Sequence, residues 1–359
     1  MTRSPRRHAP GAAPRLFAVV AALLLAVAAC AGGATPSAAG PSPTGSLVPA
    51  VTATPGPSAA PVGAATPAAA PSAAAATTYP LALADDEGTV VNLPSRPERI
   101  VSLTPATTEI LFALGAGDRV VGATDVDDYP EAAKSVTRVV AMGAIDIEKI
   151  VGLGADLVVA GGNNFNSPAA LAKLRGLGIP VLVVYAPDVA GVLHDIELVG
   201  TAAGEGPAAA ALAARMRTEI EAIGSAVAGA GTARPRVFYE LDATKEIFGP
   251  ADDSFVARMI RLAGGDPITT GSTTVFSIPL ETLLTADPQV IVLGDAAYGV
   301  TAEQVAARPG WSAMTAVRTG AVRPVDNVVV TRPGPRLVEG LRALALAIDP
   351  GAQLPSVAP

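Results

Sequence analysis

Short runs of Val, Ile and Leu alternate with helical patterns from about Tyr79 to Pro350. Several runs are apolar at consecutive positions, as in strands that helices cover on both faces. This alternation predicts an α/β fold. The predicted strands, each bounded by Gly, Pro, Asp or Asn, are Arg99–Leu103, Arg119–Ala123, Leu157–Ala160, Val181–Tyr185, Arg236–Leu241, Val290–Leu293 and Val322–Val325.

A long helical pattern divides this part of the chain. It runs from Pro207 to the cluster that begins at Gly229, and one face carries Leu212, Met216, Ile220, Ile223 and Val227. Roughly 270 residues exceed the usual size of one core, so two lobes are expected. The helix is either a rigid spacer between lobes or one more crossover in a continuous sheet, and we favour the spacer. The expected divisions are lobes at 79–206 and 231–350, a helix at 207–230 and a tail at 351–359.

Two segments share a pattern at an offset of 133 residues. Asp146–Gly161 (DIEKIVGLGADLVVAG) and Pro279–Gly294 (PLETLLTADPQVIVLG) align without gaps, with Glu148 matched to Glu281. Any helix–turn–strand unit shares part of this pattern, so the match indicates either an internal duplication or chance similarity. A duplication would place one glutamate on the same element of each lobe.

The first thirty residues have the layout of a secretory signal. Four arginines precede an apolar run from Leu16 to Ala29. As a helix this run would rise about 21 Å, too little for a hydrocarbon core of about 30 Å, so residues 1–30 predict a signal peptide and not a membrane span. Val27-Ala28-Ala29-Cys30 resembles the lipobox of bacterial lipoproteins, which predicts lipidation of Cys30. An ordinary signal peptide that contains a cysteine is the alternative.

Composition supports an exported, tethered protein. Cys30 is the only cysteine, so no internal disulfide is expected. Without the signal, 21 basic residues face 32 acidic ones and the net charge changes from −7 to −11, which argues against a nucleic-acid partner. Residues 31–78 contain no charged or aromatic residue and predict a disordered linker with a reach of about 40 Å. The chain is therefore expected outside the cytoplasm and anchored to the cell membrane. We also expect it to be a monomer.

Nine motifs follow one another through the folded part. They are Arg99–Asp125 (RIVSLTPATTEILFALGAGDRVVGATD), Asp128–Pro130 (DYP), Ile147–Gly161, Phe238–Thr244 (FYELDAT), Ser254–Ile268 (SFVARMIRLAGGDPI), Pro279–Leu293, Arg308–Trp311 (RPGW), Val322–Asp326 (VRPVD) and Arg332–Leu341 (RPGPRLVEGL). In this order they resemble class III periplasmic binding proteins of ABC importers, which bind cobalamin, ferric siderophores or haem. The resemblance implies two Rossmann-like α/β lobes joined by a single long helix, with the ligand in a cleft between them.

The resemblance also implies a docking partner. In relatives one surface glutamate on each lobe meets arginines of the permease dimer, and the matching residues are Glu148 and Glu281. A two-fold partner needs two equivalent contacts, which would explain the repeated segment. Both glutamates also fit a helix's first turn, where the helix dipole favours a negative charge by about 0.3–1 kcal/mol.

Ligand contacts are expected on loops after the carboxyl ends of strands, where α/β sheets bind ligands. Aromatic faces suit a planar macrocycle, while amides, hydroxyls and arginines suit its polar periphery. Tyr129 matches a corrinoid-contacting tyrosine of the family and is the first choice. The N-lobe residues are Thr104, Thr107, Asp125, Tyr129, Asn163, Asn164, Phe165 and Tyr185. The C-lobe residues are Tyr239, Glu240, Asp242, Phe248, Phe276, Tyr298, Arg332 and Arg336.

The expected ligand is an organic metal chelate, with a corrinoid preferred and a ferric siderophore or haem as alternatives. Cobalamin binders place tryptophans where this chain has Met142 and Gly161, a departure that weakens the corrinoid choice. Siderophore receptors use arginine against anionic chelates, a role open to Arg332 or Arg336. Haem receptors ligate iron through His or Tyr, but His194 lies in a helical pattern and is interpreted as an exposed or structural residue.

Bare metal ions and catalysis are the remaining classes. Zinc and manganese receptors need several histidines, and only His194 follows the signal segment. The sequence contains no G-x-S-x-G, P-loop or H-E-x-x-H motif, and the aspartates at 125, 127 and 128 offer only a weak case for a metal- or nucleotide-dependent enzyme. We predict neither an enzyme nor a resident cofactor.

Overall fold

The structure is a computed structural model that describes residues 77–229 and 233–356. The predicted signal peptide, the lipidation site at Cys30 and all but the end of the predicted linker lie outside these ranges, as do the last three residues of the tail. Across the described ranges, none of the helices combines the length and the apolar character needed to cross a bilayer.

The N-lobe contains a six-stranded sheet and a separate hairpin. Runs of buried Val, Ile and Leu form the central strands, and helices cover both faces. The sheet order is β6-β5-β4-β3-β7-β8, parallel except for the β5–β6 pair. The strands are β1 (Leu81–Ala84) and β2 (Val90–Leu93) of the hairpin, then β3 (Ile100–Ser102), β4 (Val120–Thr124), β5 (Arg138–Ala141), β6 (Ala144–Ile145), β7 (Leu157–Gly161) and β8 (Val181–Val184).

Polar side chains cap the N-lobe helices where the chain leaves the sheet. Thr104 caps the first helix by accepting a hydrogen bond from the Thr107 amide, and Pro105 occupies its first turn. Asp146 and Asp188 cap two others in the same way. The helices are α1 (Pro105–Ala113), α2 (Ile147–Gly152), α3 (Pro168–Gly176) and α4 (Val189–Ala203).

The predicted connecting helix is present as α5 (Gly206–Gly229). Four of the five apolar residues predicted on its inner face are buried, and Val227 is partly buried. Glycines let this helix approach both lobes closely: a Cβ at Gly200 in α4 would collide with Ala209, and one at Gly264 in the C-lobe would collide with Val227. One continuous cluster of buried apolar side chains therefore runs from the N-lobe through α5 into the C-lobe.

The C-lobe is built on a four-stranded parallel sheet in the order β10-β9-β11-β12. Its strands are β9 (Arg236–Glu240), β10 (Asp266–Pro267), β11 (Val290–Leu293) and β12 (Val322–Pro324). Its helices are α6 (Phe255–Leu262), α7 (Leu280–Ala286), α8 (Ala302–Ala306), α9 (Thr315–Arg318), α10 (Asn327–Thr331) and α11 (Leu337–Ile348). The last helix, α11, packs against α5.

All seven predicted strands are present, with ends displaced by at most one residue. The two segments offset by 133 residues both fold as a short helix followed by a buried strand, α2 with β7 and α7 with β11. The sequence prediction missed β1, β2, β5, β6 and β10, which are short or lie at sheet edges.

Candidate functional site

Three exposed aromatic side chains gather at one edge of the N-lobe sheet. Tyr129 follows β4, Phe165 follows β7 and Tyr185 follows β8, and these strands are parallel or linked through parallel neighbours. The carboxyl ends of parallel strands share an edge, so the three loops lie on the same side of the lobe. Their side chains are 46%, 55% and 44% exposed. Large exposed aromatic groups at this edge provide stacking surface for a ligand.

The loop after β7 holds Phe165 over a glycine. A Cβ at Gly161 would lie 3.1 Å from a ring carbon of Phe165, so the missing side chain leaves room for the ring. The buried Asn166 fixes this loop, since its carbonyl accepts a hydrogen bond from the Gly161 amide at 2.7 Å and its amide donates to Leu103. Cobalamin binders place a tryptophan where this chain has Gly161, and here Phe165 supplies an aromatic ring beside that position.

Amide groups lie beside these aromatic rings. Asn163 and Asn164 adopt left-handed backbone conformations with φ of 53° and 61°, which asparagine tolerates better than most residues. The Asn163 amide donates to the Tyr185 hydroxyl at 3.2 Å. The backbone of Tyr185 is held in turn by Asp86, whose carboxylate accepts from the Tyr185 amide at 2.6 Å.

Asp125 supports an exposed methionine that the sequence prediction did not place in the site. Its carboxylate accepts a hydrogen bond from the Met142 amide at 2.8 Å. Met142 lies at the β5–β6 turn with φ of 50° and is strongly exposed. The only sequence signal for this residue was its match to a tryptophan position of the family.

Thr104, Thr107 and Tyr239 lie in the interior. The two threonine hydroxyls hydrogen bond to each other at 2.9 Å, and Thr107 also reaches the Ser102 hydroxyl at 2.6 Å. Tyr239 is fully buried and donates to the side-chain oxygen of Asn327 at 2.8 Å. Burial, together with the negative charges of two nearby aspartates, raises the pKa of Tyr239. In the structure these groups stabilise the strand ends and not an open surface.

In the C-lobe, three predicted residues meet after β9. Phe248 forms an isolated bridge with Asp242, and the Gly249 amide donates to the Phe276 carbonyl at 2.9 Å. All three side chains are partly buried. Tyr298 lies after β11 and is exposed.

Glu240 forms a closed ion pair beneath this edge. It is fully buried and accepts two hydrogen bonds from Arg308, at 2.6 and 2.8 Å, and Arg308 stacks on Trp311. The neighbouring Asp295 is also buried, and burial followed by the charge of Glu240 raises its pKa to about 7. Glu240 and Arg308 already satisfy each other, so this ion pair offers no open ligand contact.

The two predicted arginines form a polar contact between the lobes. Glu109 of α1, only 2% exposed, accepts from Arg332 at 2.6 Å and from Arg336 at 2.6 and 3.0 Å. Arg332 also reaches Asp128 at 3.2 Å, and the Arg336 guanidinium lies 4.1 Å from the centre of the Tyr129 ring. Hydrogen bonding to Glu109 raises the pKa of Arg336. The sequence prediction missed Glu109. Its place in an apolar helix was the available signal, because a carboxylate that is buried with such a helix needs a partner of opposite charge.

The residues predicted for docking are on the surface, and so is His194, which the sequence indicated to be exposed or structural. Glu148 and Glu281 are exposed in the first turns of α2 and α7, one on each lobe. His194 is exposed, and its Nε2 lies 3.4 Å from Asp86. Within residues 77–229 and 233–356, no three His, Cys, Asp or Glu side chains are grouped so that they could hold a metal ion.

Known proteins resemble this chain over most of its length. A family described as periplasmic binding protein matches residues 100–328. An uncharacterized ABC transporter substrate-binding lipoprotein, YvrC of Bacillus subtilis, is 34% identical over 76% of this chain and 86% of its own length. A cobalamin-binding protein of Halobacterium salinarum is 33% identical over 76% of this chain and 75% of its own length.

The fold has a counterpart among solved structures. The periplasmic haem-binding protein RhuT of Roseiflexus sp. RS-1 superposes with a TM-score of 0.62 and 28% identity, over 71% of this chain and 99% of that one. The expected two-lobed α/β fold is confirmed by this agreement. These proteins are receptors for small molecules and not enzymes. The chain therefore belongs to the periplasmic binding protein family and is a substrate-binding protein of the ABC-transporter kind.

Proposed function

We propose that this protein captures a corrinoid in the cleft between its lobes and delivers it to an ABC permease. The observation that carries the proposal is the edge formed by Tyr129, Phe165 and Tyr185, where three aromatic side chains remain about half exposed. Several exposed aromatic groups on one edge, at the carboxyl ends of parallel strands, are typical of a ligand-binding surface.

The polar groups at this edge favour a ligand with an uncharged periphery. The amides of Asn163 and Asn164 can both donate and accept hydrogen bonds, as the side-chain amides of a corrinoid do. The cleft arginines are already paired with Glu109. The relative from Halobacterium salinarum, itself a cobalamin-binding protein, supports the same choice.

Haem or a ferric siderophore is the second candidate. Tyrosine is an iron ligand in some haem proteins, and Tyr129 and Tyr185 are both exposed. The structural similarity to a haem-binding protein supports this alternative. A siderophore with anionic groups would need the arginines, which are occupied here.

A panel of ligands in a thermal-shift experiment tests the proposal. A ligand at 100 times its Kd stabilises the folded state by about 2.7 kcal/mol, which raises the Tm of a folded part of this length by roughly 5 °C. Cyanocobalamin should give this shift, while haemin and ferric siderophores should give less. A larger shift with haemin would replace the corrinoid proposal, and no shift with any of them would overturn the chelate-receptor proposal.

Delivery is proposed to depend on a lipid anchor at Cys30 and on one glutamate from each lobe. Glu148 and Glu281 are exposed at equivalent positions in α2 and α7, which suits a permease with two-fold symmetry. Exposed ion pairs contribute only about 0–1 kcal/mol each, so their role is orientation and encounter.

Charge reversal separates docking from ligand capture. Glu148→Arg with Glu281→Arg should abolish uptake and leave the Kd for ligand unchanged. The matched control reverses Glu221 and Glu303, two exposed glutamates elsewhere on the surface, and should preserve uptake. Loss of ligand affinity in the first variant would contradict the docking assignment.

A further inference from the structure

Two arginines and two carboxylates balance their charges at the rim of the cleft. Arg332 and Arg336 reach across from the C-lobe to Glu109 in α1, and Arg332 also contacts Asp128. The formal charges of these four side chains sum to zero. The group adjoins the ligand edge, because Arg336 stacks on the exposed ring of Tyr129.

Glu109 occupies the arginines as an anionic ligand would. Both of its oxygens are used: Oε2 accepts from Nε of Arg336 at 3.0 Å, and Oε1 accepts from Arg336 and from Arg332, each at 2.6 Å. This forked arrangement is the one that guanidinium groups adopt with carboxylates and phosphates. A ligand carboxylate would therefore have to displace a carboxylate that is already buried and in place.

The arginines are partly accessible although they are paired. Their side chains are each 16% exposed, whereas Glu109 is 2% exposed. Removing the charge of Glu109 would leave a net positive charge next to Tyr129, with guanidinium donors open to a new partner. Leaving a charge unpaired in a partly buried site is costly, so an incoming anion would be favoured there.

We infer that Glu109 sets the charge selectivity of the cleft by occupying Arg332 and Arg336, which excludes anionic chelates and leaves the site to an uncharged one. Glu109 acts through the arginines and is a positioning residue, not a ligand contact. The inference rests on the proposed function, since it concerns the same cleft, and it specifies the charge class of the ligand.

Selectivity is measured as the ratio of two dissociation constants. The Kd for cyanocobalamin, which carries no net charge, is compared with the Kd for haemin, which carries two propionates, by isothermal titration of the purified protein. Ferric citrate serves as a second anionic probe. Glu109→Gln keeps the shape of the side chain and removes its charge. It should raise the affinity for both anionic probes by about tenfold or more while changing that for cyanocobalamin by less than about threefold, and the gain should shrink in high salt.

Two further variants keep the test decisive if Glu109→Gln does not fold. Glu109→Asp retains the charge and should retain the wild-type ratio. Asp128→Asn alters a side chain that is 60% exposed, so the fold should tolerate it, and it should give a smaller gain for the anions of about twofold to fourfold.

The chain offers a matched control in Glu205. This carboxylate also accepts from two arginines, Arg96 at 2.6 Å and Arg119 at 2.7 Å, but all three residues belong to the N-lobe near the start of α5. Glu205→Gln should leave the selectivity ratio unchanged.

The inference is overturned if Glu109→Gln and Asp128→Asn leave the ratio unchanged, or if Glu109→Gln weakens every ligand by the same factor, as a purely structural role would. Failure of the proposed function looks different. In that case the wild-type protein would not bind cyanocobalamin, yet Glu109→Gln would still gain affinity for the anions.

Discussion

Phe165 should contribute more to ligand affinity than any other side chain on its loop. The ring is held over Gly161 and is 55% exposed, so about 110 Å² of its roughly 200 Å² surface remains to be covered. Covering half of that open area contributes about 1.4 kcal/mol, and covering all of it about 2.7 kcal/mol. Phe165→Ala is therefore expected to weaken binding of the preferred ligand between 10- and 100-fold.

Isothermal titration of the variant against cyanocobalamin measures the effect, and a thermal melt without ligand verifies the fold. Leu177→Ala is a suitable control because this residue is 54% exposed but lies just after α3, where the chain enters the amino end of β8, away from the ligand edge. Phe165→Trp should keep most of the affinity. A loss below about threefold in Phe165→Ala, or an equal loss in Leu177→Ala, would refute the stacking role.

Three further predictions concern stability and location. Burial, and then hydrogen bonding to Asp86, raises the pKa of Asp195 to about 9, so the folded state loses stability as pH rises from about 4 to 9. Asp195→Asn should remove this pH dependence and be more stable than wild type against urea at pH 8. If the stabilities of the two proteins changed in parallel with pH, this role of Asp195 would be excluded. A new Cβ at Gly224 would meet no other atom, so Gly224→Ala should stabilise the folded state by about 0.5–1 kcal/mol. A new Cβ at Gly200 would collide with Ala209, so Gly200→Ala should destabilise the folded state by about 1–3 kcal/mol. Equal melting temperatures of the two variants would contradict this prediction. Cys30→Ser should move the protein from the membrane fraction to the soluble fraction, and unchanged fractionation would exclude the anchor.

Five of the seven strands predicted from the sequence lie inside a sheet, and the other two, β8 and β12, lie at sheet edges. Leu157–Gly161 and Val290–Leu293 are buried at every position, so their apolar runs stand out between polar turns. Strands β1 and β2 of the hairpin were missed because only alternate positions are partly buried in β1 and buried in β2, and β5 was missed because only two of its four residues are buried. Their strand character depends on the partner, which a local pattern does not contain.

The site was only partly predictable for a related reason. The rule that ligands bind at the carboxyl ends of strands selected Tyr129, Phe165 and Tyr185, and the structure brings these three to one edge. The same rule selected Thr107 and Tyr239, which point into the interior. The contact between Glu109 and Arg332 joins residues 223 positions apart, so the sequence can indicate that a buried carboxylate has a partner but cannot identify it.

Equilibrium binding of cyanocobalamin to the purified protein, compared with haemin under the same conditions, is the decisive measurement for the proposed corrinoid receptor. We expect one corrinoid per chain with a Kd below about 1 μM, equivalent to about −8 kcal/mol, and weaker binding of haemin. Tight binding of haemin without binding of cyanocobalamin would contradict the account.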